Sequence, residues 1–251
     1  MDDSTSILNN IKPFKYSLPI NIEFPNAIAF SGVKVGLLLS YASSNFVVVL
    51  VEGKGITSIL KGHDYRVCTV AFENHGCNII SCDIQGNCIF WHFQDSEWQK
   101  ARTAKLGTPA TCIEWMPVRR EIIYSSKDGL IKSNVSDFGV KGKLLCKRSE
   151  FCAFNYDGSL LASHYGGKAV TIFFMSVVPQ YSIVIRHNRN IILFDFHPNQ
   201  QAFMTITDDY ILRIWKLSVF STFNCASIIK VPFLGRFVRL PFLATEKKTV
   251  S

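Results

Sequence analysis

Two sets of polar side chains recur in matching order along this 251-residue chain. His63, Ser81, Asp83 and Trp91 form one set, and His187, Thr207, Asp209 and Trp215 form the other. Ser126 and Asp128 are a partial third. Histidine and aspartate could perform acid–base catalysis, but an active site needs one convergent set, and here the set repeats. The plainer use is structural. A buried imidazole and a buried indole N–H each need a partner, and an Asp–His–hydroxyl–Trp relay satisfies them together. Ser126 and Asp128 have Leu106 and Asn134 where His and Trp stand in the full sets. No nucleophile elbow, phosphate loop, zinc-protease helix or paired-carboxylate constellation accompanies these residues. The chain therefore reads as a non-enzyme with no cofactor and no metal.

The elements that position these groups follow from a period of about 42 residues. Aromatic anchors at Phe30, Phe72, Trp115, Phe154 and Phe196 are separated by 42, 43, 39 and 42 residues. Nineteen residues after each anchor come Val49, Trp91, Asn134, Phe173 and Trp215. In the two full sets His lies nine residues before the anchor. The anchor-to-landmark interval is constant while the spacing between repeats varies, as expected when loops change and strand pairing does not. Within repeats, short apolar runs flank turn signals: Ile79–Cys82 before Gln85-Gly86-Asn87, Ile122–Ser125 before Asp128-Gly129, and Leu160–Ser163 before Gly166-Gly167. Such pairs are hairpins, and no stretch has a helical period with caps. The expectation is all-β: one domain, 1–251, of four-stranded antiparallel blades, with repeats at about 25–60, 61–103, 104–142, 143–184 and 185–230.

Gly62-His63, Val70-Ala71-Phe72, Ser81, Asp83 and Trp91 resemble the WD-repeat family, and His187, Phe194–Phe196, Thr207, Asp209 and Trp215 match at corresponding positions. The resemblance implies a β-propeller and gives the His, hydroxyl, Asp and Trp residues the roles of a structural hydrogen-bond relay. It is degenerate elsewhere: no Trp-Asp dipeptide occurs, and the Asp of the tight turn in the second repeat is replaced by Gln85. Five repeats leave two ends, 1–24 and 231–251. Strands such as Ile20–Phe24 and Gly235–Leu240 are expected to complete a sixth blade, the alternative being an open ring. The stretches Trp91–Trp98 and Ala110–Pro117 are similar to the propeller subunit of the actin-branching complex and to the vesicle-coat and nuclear-pore propeller.

A rigid disc with loops on two faces suits a scaffold for protein partners in a multiprotein complex. Candidate contacts are the loop residues Tyr65, Arg66, Lys127, Arg189, Asn190 and Asp208. The net charge of +8 leaves two other classes open, a ribonucleoprotein propeller and one that binds anionic lipid. The Lys141, Lys143, Lys147 and Arg148 cluster supports the first, although no RNA-binding signature appears. The basic run 233–240 bears on the second, although the Phe-Arg-Arg-Gly motif of lipid-binding propellers is missing. Eight cysteines without CxxC spacing, and an N-terminus without a secretory pattern, are expected of a cytoplasmic protein, with the nucleus as the alternative. The apolar run Val35–Val51 is broken by Ser43-Ser44-Asn45, so it reads as two strands and a turn rather than a transmembrane segment.

Overall fold

A computed structural model of the chain describes residues 28–230 apart from 34–35, 52–53, 74–75, 118, 177–180, 198–199 and 219–221. Among the described residues there are twenty strands in five four-stranded antiparallel sheets, and no helix. The first sheet is β1 (Ile28–Val33), β2 (Gly36–Ser43), β3 (Phe46–Val51) and β4 (Gly55–Lys61). The second is β5 (Val67–Phe72), β6 (Asn78–Asp83), β7 (Asn87–Gln94) and β8 (Glu97–Lys105). β9 (Cys112–Trp115), β10 (Glu121–Ser126), β11 (Gly129–Asn134) and β12 (Lys143–Cys146) form the third. β13 (Phe151–Phe154), β14 (Leu160–His164), β15 (Ala169–Phe174) and β16 (Ser182–Arg186) form the fourth. β17 (Ile191–Phe196), β18 (Ala202–Thr207), β19 (Ile211–Leu217) and β20 (Phe223–Lys230) form the fifth. Each sheet is a simple meander, so every connection inside a blade is a hairpin.

The blades stack because the middle strands are apolar on both faces. Successive side chains on a strand point to opposite sides, so neighbouring residues feed different interfaces. Ile79 packs towards blade one and Ile80 towards blade three. Ile122 faces blade two, while Ile123 joins Cys112, Cys152, Leu161 and Phe173 between blades three and four. Phe194, Phe196 and Phe203 fill the space between blades four and five with Leu160, Ala162 and Ile172. Each consecutive pair of blades thus has its own core. This is why the middle strands read as near-continuous apolar runs rather than strict alternation. First strands lie innermost, with β5 against β1 and β9, and β13 against β9 and β17. The anchors add polar ties here: Trp115 Nε1–H donates to the Ala71 carbonyl of the preceding blade at 3.3 Å.

From Gly36 to Val51 the apolar run resolves into β2, a turn at Ser44-Asn45 with Ser44 at φ 51°, and β3. No helix among the described residues is long and apolar enough to cross a membrane. Both proposed closing strands, Ile20–Phe24 and Gly235–Leu240, and the basic run 233–240 lie outside the described residues. No strand pairing joins the first sheet to the fifth among the described residues.

Candidate functional site

Blade two carries the complete polar set. His63 follows β4 in the loop that leads to β5, Ser81 and Asp83 sit on β6, and Trp91 sits on β7. Trp91 Nε1–H donates to Ser81 Oγ at 2.9 Å, and Ser81 Oγ lies 2.7 Å from His63 Nε2. His63 Nδ1 faces Asp83 Oδ2 at 3.3 Å. The backbone N–H groups of Gln85 and Asn87 both donate to Asp83 Oδ1 at 2.9 Å, and Asn87 Nδ2 donates to Oδ2 at 2.8 Å. A carboxylate only accepts, so His63 carries its hydrogen on Nδ1, and the Ser81 hydroxyl donates to Nε2. Burial pushes the His63 imidazole below its usual value, against the upward pull of Asp83. The ring is therefore neutral at pH 7. Gly62 packs tightly here, because a Cβ there would meet the Trp91 ring at 3.1 Å and Ile89 at 3.2 Å.

Hydroxyl to Nε2 and Nδ1–H to carboxylate is the connectivity of a nucleophilic triad. Here it serves another purpose. Ser81 and Asp83 have no exposed surface, and the serine oxygen is already occupied by the Trp91 indole. No substrate carbonyl can approach it. The arrangement clamps the loop before β5 to the two middle strands and fixes the rim on which Asp64, Tyr65 and Arg66 stand.

Blade five repeats the clamp with a change. The hydroxyl that joins His187 to Trp215 belongs to Thr205, at 2.8 Å from His187 Nε2 and 2.9 Å from Trp215 Nε1. It is not Thr207. Register explains the correction, since Thr205 occupies the Ser81 position and Thr207 the Asp83 position of β6. Thr207 instead donates to Asp209 Oδ1 at 2.6 Å and accepts from Arg213 at 3.0 Å. Asp209, at the position of Gln85, does not enter the relay, and Thr207 draws its carboxyl below the usual range. With no carboxylate at position 207, His187 Nδ1 is buried without a partner. Burial, and then Arg213, push this imidazole down as well.

In blade three Ser126 accepts the Asp128 backbone N–H at 3.2 Å, and Asp128 accepts the Thr108 hydroxyl at 2.6 Å, so the pair closes a turn and joins no imidazole. Tyr124 stands at the relay-hydroxyl position. Phe138, fully buried, packs edge-on against Tyr124 and Phe90 at centroid distances of 5.2 and 5.5 Å. The reading of the sequence missed Phe138, Thr205 and Asn87. Only Thr205 had a usable signal, its place eighteen residues after His187, the interval between His63 and Ser81. The candidate contacts Tyr65, Arg66, Lys127, Arg189, Asn190 and Asp208 are all exposed. They share one face, on the loops entering the first strands and on the turns between second and third strands. Ile84 N–H to the Arg66 carbonyl, and Asp208 N–H to the Asn190 carbonyl, tie loop to turn at 2.9 and 2.8 Å. Beside His63 the face holds a recess of about 580 Å³, reached by Tyr65, Gln85, Lys100 and Lys105. Among the described residues no cluster of three His, Cys, Asp or Glu could hold a metal ion.

The family model of the WD domain, G-beta repeat, matches residues 54–92. That span covers β4 of blade one and the first three strands of blade two, so one sequence repeat bridges two blades. Among solved structures, the Cps50 (Swd1) β-propeller domain of Myceliophteria thermophila superposes with a TM-score of 0.64 at 14% identity, over 82% of this chain and 73% of that one. The fold is a β-propeller, and residues 54–92 carry a WD repeat. Comparison with curated proteins finds no match. With 1341 solved chains matching it, the propeller fold by itself specifies neither a function nor a partner.

Proposed function

We propose that this chain is a non-catalytic scaffold that presents one loop-bearing face of the propeller to protein partners within a multiprotein complex. The observation that carries the reading is the division of labour around His63. The relay hydroxyl Ser81 is buried under the Trp91 indole and the His63 and Asp83 side chains are spent on holding the loop, while the rim they hold exposes Tyr, Arg, Lys and Asn, which are typical anchors and adaptable contacts. Eight free cysteines fit a reducing compartment, and a cytoplasmic location belongs to the proposal, with the nucleus as the alternative. The actin-branching and vesicle-coat assignments gain little from Trp98, whose ring packs on Phe93 and Phe72 at 5.3 and 6.2 Å as hairpin packing alone requires.

The competing class is a basic propeller for nucleic acid or anionic lipid, which the charge of +8 favours. Native affinity purification with mass spectrometry separates the two. A scaffold retains a defined protein partner through a high-salt wash. A nucleic-acid binder retains RNA, and its affinity falls steeply with salt. Recovery of RNA without a protein partner would overturn the scaffold reading.

A further inference from the structure

The loop-bearing face carries cations in two sectors. Near blades two and three some are engaged or stand near acids, while Lys100 lines the recess. Lys105 Nζ bonds the Gln85 carbonyl at 2.7 Å and Asn87 Oδ1 at 2.9 Å, and Asp64 and Asp128 stand close by in sequence to Arg66 and Lys127. Around blades four and five Lys147, Arg148, Lys168, Arg186 and Arg189 are all exposed, and none makes an ion pair with another described residue. Backbone hydrogen bonds gather them onto one rim: Glu150 N–H to the His164 carbonyl at 2.9 Å, His187 N–H to Lys168 at 2.7 Å, and Ile191 N–H to Gly167 at 2.7 Å. The exposed acids there are Glu150 and Asp208, while Asp209 is held by the Thr207 hydroxyl.

Two features make this sector more than loose charge. The Arg148 guanidinium lies over the half-exposed Tyr165 ring at 5.6 Å, which orients a bidentate donor before any partner arrives. Next to Tyr165, Gly166 and Gly167 have φ of 55° and 77°, and a Cβ on either would meet nothing within 4 Å. The floor is thus open backbone flanked by Lys168. Exposed cations, a stacked arginine and an open glycine turn complement an extended chain rich in carboxylates.

We infer that the blade four–five sector of this face docks an acidic peptide segment of a partner protein, with Arg148 and Lys168 as its principal contacts. The inference rests on the scaffold reading and adds to it the place and the chemistry of the partner. The test uses the full chain and a short fluorescein-labelled Asp/Glu-rich peptide, read by anisotropy, with the Asn/Gln version as comparator. The acidic peptide binds, its affinity falls as salt rises, and Arg148→Glu with Lys168→Glu weakens it by about tenfold or more. Lys127→Glu, on the other sector, changes it less than about twofold. Where the double variant loses its native melting transition, Arg148→Gln and Lys168→Gln are read separately for the same direction of change. No binding by the native chain, equal loss in Lys127→Glu, or displacement of the peptide by tighter-binding homopolymer RNA each overturns the inference. A defined protein partner cross-linking only around Tyr65 and Lys127 overturns it too, yet leaves the scaffold reading intact.

Discussion

Replacing Thr205 by Val keeps the shape of the side chain and deletes the hydroxyl that links His187 to Trp215. Two polar groups lose their partner at once, His187 Nε2 at 2.8 Å and Trp215 Nε1–H at 2.9 Å. A buried group left unsatisfied costs about 1–3 kcal/mol. His187 is buried and has already lost its Nδ1 partner, so it bears the full cost, whereas Trp215 is only half-buried and regains some water. The sum is about 2–4 kcal/mol, and in a chain of this size it lowers Tm by roughly 4–15 °C. Thr207→Val is the matched control. Its partners Asp209 and Arg213 are half-exposed and resolvate, so the fall in Tm should be less than half as large. Urea denaturation followed by tryptophan fluorescence measures both. Equal losses in the two variants would show that the relay does not run through Thr205.

Thr207→Asp places a carboxylate where blade two has Asp83, and NMR titration should show His187 moving to a higher pKa; an unchanged midpoint refutes the homology between the two clamps. Burial pushes both His63 and His187 below the ordinary value of 6.5. Below that value the unfolded chain takes up protons that the folded chain refuses, so stability present at neutral pH is lost as pH falls from 6.5 towards the lowered folded values. Melting curves between pH 7.5 and 5.5 check this, and a flat profile contradicts it. Gly129→Ala puts a Cβ into the Cys146 carbonyl at φ 121°. Neither backbone can yield cheaply, so a marked fall in Tm is expected by calorimetry, whereas Gly166→Ala, with open space around it, should cost only the strain of its positive φ.

The chain by itself determined the architecture, because hydrophobic period and turn chemistry are local properties. The 19-residue interval from anchor to landmark spans two hairpins whose lengths are set by pairing, from Phe72↔Ile79 to Ile79↔Trp91. The two histidines and their tryptophans were legible for the same reason. The hydroxyl of the fifth clamp was legible only through its eighteen-residue interval from His187, because Thr205 and Thr207 lie on one face of β18, two residues apart, and the register against β19 decides which one meets Trp215. Phe138 was hidden because a loop residue acquires a core role only when another blade, through Phe90, covers it. Only the tertiary structure decided that a Ser–His–Asp connectivity is sealed under an indole rather than open to substrate. Solvent access belongs to the packed assembly, and no spacing along the chain encodes it.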